Sequence, residues 1–124
     1  MPQNVTTPFF KPGQDPTGYP TAPVLSKTLV ASVPGGRGGL THIATATAGG
    51  PALGVPGHDA EEGQEVHVHV GGIVPVLAAA DITAGTQVEV GAGGRIVPRT
   101  TGVAVGYATA SGASGSAVPV KLYG

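Results

Sequence analysis

A short pattern of glycine and alternating valine occurs three times in this chain and limits what it can fold into. Residues 63–75 read GQEVHVHVGGIVP and residues 85–98 read GTQVEVGAGGRIVP, one residue longer beside the glycine pair. A third correspondence maps residues 54–70 onto residues 106–122 without a gap. Apolar residues at every second position are typical of strands with one buried face, and the flanking glycines are typical of turns. The pattern predicts repeated turn–strand units and argues against long helices.

The remaining segments fit the same interpretation, because glycine or proline interrupts nearly every candidate helix. We predict an all-β fold, a small β-sandwich or partly open, β-tulip-like β-barrel of about eight short strands. Residues 25–124 are expected to form this β-domain, and residues 91–94 a glycine hairpin turn with positive φ. The predicted strands are residues 25–33, 40–47, 52–55, 65–70, 73–77, 87–90, 95–98, 103–108 and 117–123.

Residues 1–24 differ from the rest, because six of the chain's 12 prolines fall there with both of its phenylalanines. Proline at this density disfavours helices and central strands, so we expect an extended N-terminal arm. Such an arm loses little entropy when it becomes ordered on a partner. Phe9, Phe10, Lys11 and Tyr19 are the candidate contacts of this arm with a neighbouring subunit or another partner protein. The alternative is a terminus whose aromatic side chains fold back on the domain.

The charge content is low, with charged residues making up 10% of the chain and a net charge of −1. Globular proteins typically carry about 25% charged residues, so this chain should be prone to association and suited to an assembly. Six basic residues form no stripe that would hold nucleic acid. No apolar run has membrane-spanning length, and cysteine is absent, which fits folding in a reducing cytoplasm.

His67 and His69 are the one pair that looks like reaction chemistry. Residues i and i+2 of a strand project from the same face, so both imidazoles could reach one metal ion. Glu65, His42 or His58 would have to supply a third ligand. The second copy of the pattern carries glutamate and glycine at the equivalent positions. We therefore treat the pair as a weak metal candidate, expect no cofactor, and expect that the protein is not an enzyme.

The order of the motifs resembles the small capsid cement, or decoration, proteins of tailed bacteriophages. The resemblance rests on the run over residues 54–76, on ITAG at 82–85, GRIV at 94–97, VGYA at 105–108 and VPVKL at 118–122. It implies a β-rich fold related to the head-decoration proteins of lambda-like phages, which sit as trimers on the capsid exterior. It also implies that the N-terminal arm reaches onto the major capsid protein, and it carries over no catalytic residue.

The expected function is therefore that of a structural virion protein, made in the host cytoplasm, that binds capsomer junctions on the capsid exterior and stabilises the shell. The expected partners are the major capsid protein and two further copies of this chain, with no nucleic acid and no membrane. The alternative function is a carbohydrate-binding or attachment module of a phage tail or fibre. That alternative calls for exposed aromatic side chains in the β-domain, where only Tyr107 and Tyr123 occur.

Overall fold

A computed structural model describes residues 17–34 and 41–123 of the chain. These residues form ten strands, against the eight or nine expected, and a single turn of 3-10 helix at Ala92–Gly94, so the all-β prediction is confirmed. No helix among the described residues is long and apolar enough to cross a membrane. The strands are β1 (Thr17–Pro20), β2 (Val30–Ser32), β3 (Thr41–Thr45), β4 (Val55–Pro56), β5 (Val66–His69), β6 (Ile73–Leu77), β7 (Gln87–Val90), β8 (Ile96–Pro98), β9 (Gly106–Ala108) and β10 (Ala117–Leu122).

The ten strands form two five-stranded sheets that divide the chain into an N-terminal and a C-terminal half. The first sheet has the order β2-β3-β1-β5-β4, and the second has the order β6-β10-β9-β7-β8. We call them lobe 1 (β1 to β5) and lobe 2 (β6 to β10). Each sheet curls until its two ends meet. Val30 donates its N–H to the carbonyl of Gly54 at 2.9 Å in lobe 1, and Ala79 donates to the carbonyl of Ile96 at 2.9 Å in lobe 2.

When the strands are followed around each curled sheet, the two lobes have the same topology. The cycle β1-β5-β4-β2-β3 of lobe 1 corresponds to the cycle β6-β10-β9-β7-β8 of lobe 2. The parallel pair Pro20–Ile43 recurs as the bridge Ala78–Ile96. The turn bonds recur as well: Gly63 N–H to Pro20 O (2.9 Å) matches Gly115 N–H to Ala78 O (2.7 Å), and Val24 N–H to Ala60 O (2.9 Å) matches Ile82 N–H to Gly112 O (2.8 Å).

This internal repeat explains one sequence correspondence and corrects another. Residues 54–70 and 106–122 are structurally equivalent, because both contain a short strand, a turn and a longer strand that pairs with the first strand of their lobe. The correspondence between residues 63–75 and 85–98 does not extend to the way in which their strands pair. β7 and β8 form the predicted hairpin, whereas β5 and β6 lie in different sheets. The glycine pair at residues 71 and 72 is therefore the connection between the lobes.

The expectation that residues 1–24 contain no central strand is wrong for Thr17–Pro20. β1 lies between β3, to which it runs parallel, and β5, to which it runs antiparallel. Proline is tolerated because Pro20 is the last residue of the strand, while Gly18 supplies the close approach at its centre. A β-carbon at Gly18 would lie 2.7 Å from Ile43 Cδ1. Residues 1–16, which include Phe9, Phe10 and Lys11, lie outside the described residues.

Each lobe encloses a small apolar core of inward-facing side chains from alternate strand positions. In lobe 1 these are Val24, Val30, Ile43, Ala60, Val66 and Val68. The core of lobe 2 is larger, because it continues into side chains that lobe 1 contributes from its outer surface, namely Leu29, Ala46 and Val55. Full burial of one such aliphatic side chain contributes about 1.5–3 kcal/mol. The contact between the lobes is therefore part of the core.

A turn with positive φ at its third residue occurs at four equivalent places, and at one of them the residue is not glycine. Gly63, Gly85 and Gly115 have φ values of 78°, 86° and 87°. Lys27 is the structural counterpart of Gly85 and adopts φ 60°. Glycine adopts this region freely, whereas a residue with a β-carbon pays about 1–2 kcal/mol.

We expect Gly85→Ala to lower the free energy of unfolding by up to about 1 kcal/mol, because the left-handed penalty exceeds the entropy that alanine saves in the unfolded chain. Lys27→Gly should act in the opposite direction, since it relieves the same penalty. Urea denaturation of both variants measures these changes in the free energy of unfolding. Equal midpoints for wild type and Gly85→Ala would show that this turn relaxes without cost.

Candidate functional site

The predicted contact residue Tyr19 lies on the body of lobe 1. It is half-buried in β1, and its ring centroid lies 6.2 Å from that of His42 on the parallel neighbour β3. These two side chains line a surface depression of about 300 Å³ together with Glu62 and Glu65. The depression therefore combines two rings with two carboxylates, close to the point where residues 1–16 join the domain.

His67 and His69 project from the same face of β5, as the alternation predicts, while Val66 and Val68 point into the core. The two ring centroids are 4.9 Å apart at an interplanar angle of 60°. The structure does not bring Glu65, His42 or His58 to this pair as a third ligand: among the described residues, no group of three histidine, cysteine, aspartate or glutamate side chains could hold a metal ion. His58 instead places Nδ1 2.8 Å from the carbonyl oxygen of Asp59.

Asp59 and Asp81 each hold a turn in place at the surface. Asp59 accepts the N–H of Ser26 at 2.8 Å, and Asp81 accepts the N–H of Ser114 at 2.9 Å. The hydrogen bond from Ser26 holds the pKa of Asp59 below its usual value. Both carboxylates thus serve backbone hydrogen bonding at the surface.

Glu89 is a buried carboxylate at the junction of the lobes that the sequence pattern did not single out. Its side chain is 6% exposed, and Oε1 accepts hydrogen bonds from the N–H of Thr100 at 2.6 Å and from the Thr100 hydroxyl at 2.9 Å. These bonds lower the pKa of Glu89 below its ordinary 4.5. A β-carbon at Gly49 of lobe 1 would lie 3.8 Å from Glu89 Oε2, so the carboxylate adjoins the contact between the lobes.

The ionised Glu89 is expected to stabilise the fold in a pH-dependent way. Because its pKa is lower in the folded protein, its contribution is complete above the ordinary value near 4.5 and is lost as the pH falls through the folded pKa. Glu89→Gln should therefore have a lower melting temperature than wild type at pH 7, with the difference shrinking towards pH 3. Melting curves across this range test the prediction. Asp59→Asn removes a second carboxylate of lowered pKa, so it should show the same trend with pH. A difference that is constant with pH would contradict the assignment.

Tyr107 and Tyr123 form an aromatic patch on the outer face of lobe 2. Their ring centroids are 6.2 Å apart, and Gln87 donates an N–H from Nε2 to the hydroxyl of Tyr123 at 3.1 Å. Across the strands Tyr107 lies opposite Gln87 on one side and Lys121 on the other. Tyr123 is 49% exposed. The sequence places both tyrosines in the β-domain, but their proximity follows from the pairing of β9 with β10.

Comparison with known proteins agrees with this architecture. Residues 20–122 match the family model described as phage cement protein. The fold is similar to that in a crystal structure of the N base of the head fiber gp8.5 in bacteriophage phi29, with a TM-score of 0.75 and 22% sequence identity over 88% of this chain and 92% of that chain. The search of curated proteins returned no match. At this identity the structural likeness establishes the fold, and the family model carries the relationship.

Proposed function

Since the chain belongs to the phage cement protein family, we propose that it binds the exterior of a phage capsid at capsomer junctions and stabilises the shell. The family match over residues 20–122 carries this proposal and confirms the resemblance noted in the sequence. The protein is a structural component of the phage virion. Synthesis in the host cytoplasm and attachment to the outer surface belong to the proposal.

The stabilising mechanism we propose is thermodynamic linkage. A protein that binds the assembled lattice but not separated capsomers stabilises the lattice by its binding free energy, which is about 2.7 kcal/mol per site at a hundredfold excess over Kd. The fold suits this role, because both sheets close on themselves and leave few strand edges open to unwanted pairing. A binding scaffold of this kind needs no catalytic group, so the proposal describes a non-enzymatic protein.

The partners in this proposal are the major capsid protein and a homotrimer of this chain. Three linked chains would bind several capsid sites at once, so modest contacts at each site sum to a slow overall dissociation. Phe9, Phe10 and Lys11 remain the proposed anchors on the shell, because aromatic residues supply large contact areas. Tyr19 is proposed as a contact on the domain itself, where its half-buried ring lies beside that of His42.

Removal of residues 1–16 is expected to abolish cosedimentation with capsids while leaving a folded domain. The truncation ends at residue 16 because β1 begins at Thr17 and is central to lobe 1. A matched control in the full-length arm, Thr6→Ala with Thr7→Ala, should bind as wild type does. Circular dichroism confirms folding, and sedimentation with purified capsids measures binding. Undiminished binding by the truncated protein would reject the arm as the anchor.

The alternative function, a carbohydrate-binding or attachment module, draws on the Tyr107–Tyr123 pair, because exposed aromatic rings are suited to stacking on sugars. The two centroids are 6.2 Å apart and Tyr123 is half-exposed. A glycan array separates the functions, since a capsid-binding protein should give no hits there but should sediment with empty capsids. Stoichiometric zinc, manganese or iron in elemental analysis would instead support His67 and His69 as a metal site.

A further inference from the structure

The two lobes contact each other through surfaces that are not equivalent. Lobe 1 contributes its front face, which we define by Lys27, Leu29, Ala46 and Val55. Lobe 2 contributes its back face, which we define by Leu77, Val90 and Gly94. Four backbone hydrogen bonds join lobe 1 to lobe 2 at this contact: Leu29 N–H to Gly94 O at 2.7 Å, Leu77 N–H to Lys27 O at 2.8 Å, Gly49 N–H to Val90 O at 2.8 Å, and Val103 N–H to Gly49 O at 3.0 Å. Contacts of this head-to-tail kind leave one front face and one back face free.

The free front face belongs to lobe 2, and its side chains are of a different kind. The counterparts of Lys27, Leu29, Ala46 and Val55 are Gly85, Gln87, Arg99 and Tyr107. Leu29 and Ala46 are buried at 0% and 4% exposure against lobe 2, whereas Gln87 and Arg99 are exposed. Tyrosine and arginine are enriched in protein interfaces, and Tyr123 adds a second ring beside Tyr107. The face that is a core contact in lobe 1 is thus an amphipathic, uncovered surface in lobe 2.

The free back face belongs to lobe 1 and contains a groove. The groove has a volume of about 230 Å³ and is lined by Ala31, Ser32, Pro51, Ala52 and Leu53. Ser32 is the counterpart of Val90, whose carbonyl accepts the N–H of Gly49 in the contact inside the chain. Pro51 stands where Val103 donates its N–H to the Gly49 carbonyl at 3.0 Å, and the counterparts of Leu77 and Gly94, namely Tyr19 and Thr41, already lie within the β1–β3 ladder, so a repeated contact would rest mainly on side chains. Among residues 17–34 and 41–123 none fills the groove, whereas lobe 1 covers the equivalent surface of lobe 2.

We propose that a second copy of this chain covers these faces, with the back face of its lobe 1 docked on the front face of lobe 2. The contact would repeat, between chains, the head-to-tail contact that joins the lobes within one chain. Head-to-tail contacts that close give rings, and each chain adds two lobes to such a ring. The inference deepens the proposed function, since it assigns the interface of the proposed homotrimer, which would then hold six lobes in one closed ring.

A pair of variants tests this interface, because a head-to-tail contact joins two different faces that can be blocked separately. Gln87→Arg places a charged side chain on the front face of lobe 2. Ser32→Arg places one in the lining of the groove on lobe 1, and both positions are exposed. We expect wild type to reach a limiting mass of three times the 12.0 kDa chain as its concentration rises, and each variant alone to remain monomeric. Each variant keeps the face that the other lacks. An equimolar mixture should therefore form dimers that contain one chain of each variant, and nothing larger.

Light scattering after size exclusion measures these masses, and melting curves verify that each variant is folded. Ala113→Arg, in the exposed turn before β10, is the matched control and should assemble as wild type does. A monomeric wild type at every concentration, variants that still form trimers alone, or a mixture that grows beyond dimers would each overturn the proposal. Capsid sedimentation is measured separately. A monomeric wild type whose capsid binding is lost in Gln87→Arg would assign the front face to the shell protein, overturning self-association while the proposed function stands.

Discussion

Alanine in place of Gly54 or Gly106 is expected to lower the free energy of unfolding by about 3 kcal/mol, the upper end of typical overpacking costs. A β-carbon at Gly54 would overlap the carbonyl oxygen of His69 and lie 2.9 Å from its carbonyl carbon. A β-carbon at Gly106 would overlap the carbonyl oxygen of Lys121 in the same way. Both obstacles are backbone atoms of the neighbouring strand, so they cannot rotate away as a side chain could.

The position of Gly54 makes the effect larger than a local clash, because its carbonyl also accepts the N–H of Val30 where the sheet of lobe 1 closes. Urea denaturation measures the loss in both variants. Gly71→Ala is the control, since Gly71 is exposed and no atom lies within 4 Å of a β-carbon built there, so the change should stay within about 0.5 kcal/mol. Stabilities of Gly54→Ala and Gly106→Ala that match this control would contradict the strand spacing described here.

Leu29→Ala is expected to cost about 2–5 kcal/mol, the usual range for removing a fully buried leucine side chain. Leu29 is 0% exposed and packs into the core of lobe 2, so the substitution removes apolar contact from the junction of the lobes. Its counterpart Gln87 provides a control at the same position of the repeat. At concentrations where the chain is monomeric, Gln87→Ala should change stability by less than about 0.5 kcal/mol, because that side chain is exposed and its hydrogen bond to Tyr123 lies at the surface.

Calorimetry of the Leu29→Ala variant adds a second readout. Since the two lobes share a core, wild type should unfold in one transition, and weakening the junction should broaden that transition or split it into two. Equal melting temperatures for Leu29→Ala and Gln87→Ala would show that the lobes are stable independently of their contact.

The sequence predicts the class of this fold better than its connections. Alternating valines in β5, β7 and β10 and the glycines of the turns are local signals, and each led to the observed strand or turn. The pairing of strands depends on contacts far apart in the chain. Residues 71–75 have the same glycine–isoleucine–valine–proline composition as the end of the β7–β8 hairpin, yet in the structure they carry the chain from one lobe to the next. Nothing in that local composition distinguishes a hairpin from a connection.

The candidate surfaces were predictable only in part. The alternation in β5 correctly placed His67 and His69 on one face. The position of Tyr19 in a central strand was hidden by the surrounding prolines, which are strong local signals against a sheet. Glu89 lacked a distinguishing pattern, because Thr100, which donates two hydrogen bonds to it, lies 11 residues away across a turn. The Tyr107–Tyr123 pair likewise depends on strand pairing rather than on spacing.

The divergence between Leu29 and Gln87 has a consequence for solubility. Two identical lobes joined head to tail would expose, at one end of every molecule, the same apolar side chains that the other end buries, and such chains would associate tightly even when dilute. Here glutamine, arginine and tyrosine replace leucine, alanine and valine at the open end. If copies join through this face as proposed, the more polar contact would be weaker, so single molecules would stay separate when dilute and join where their local concentration is high.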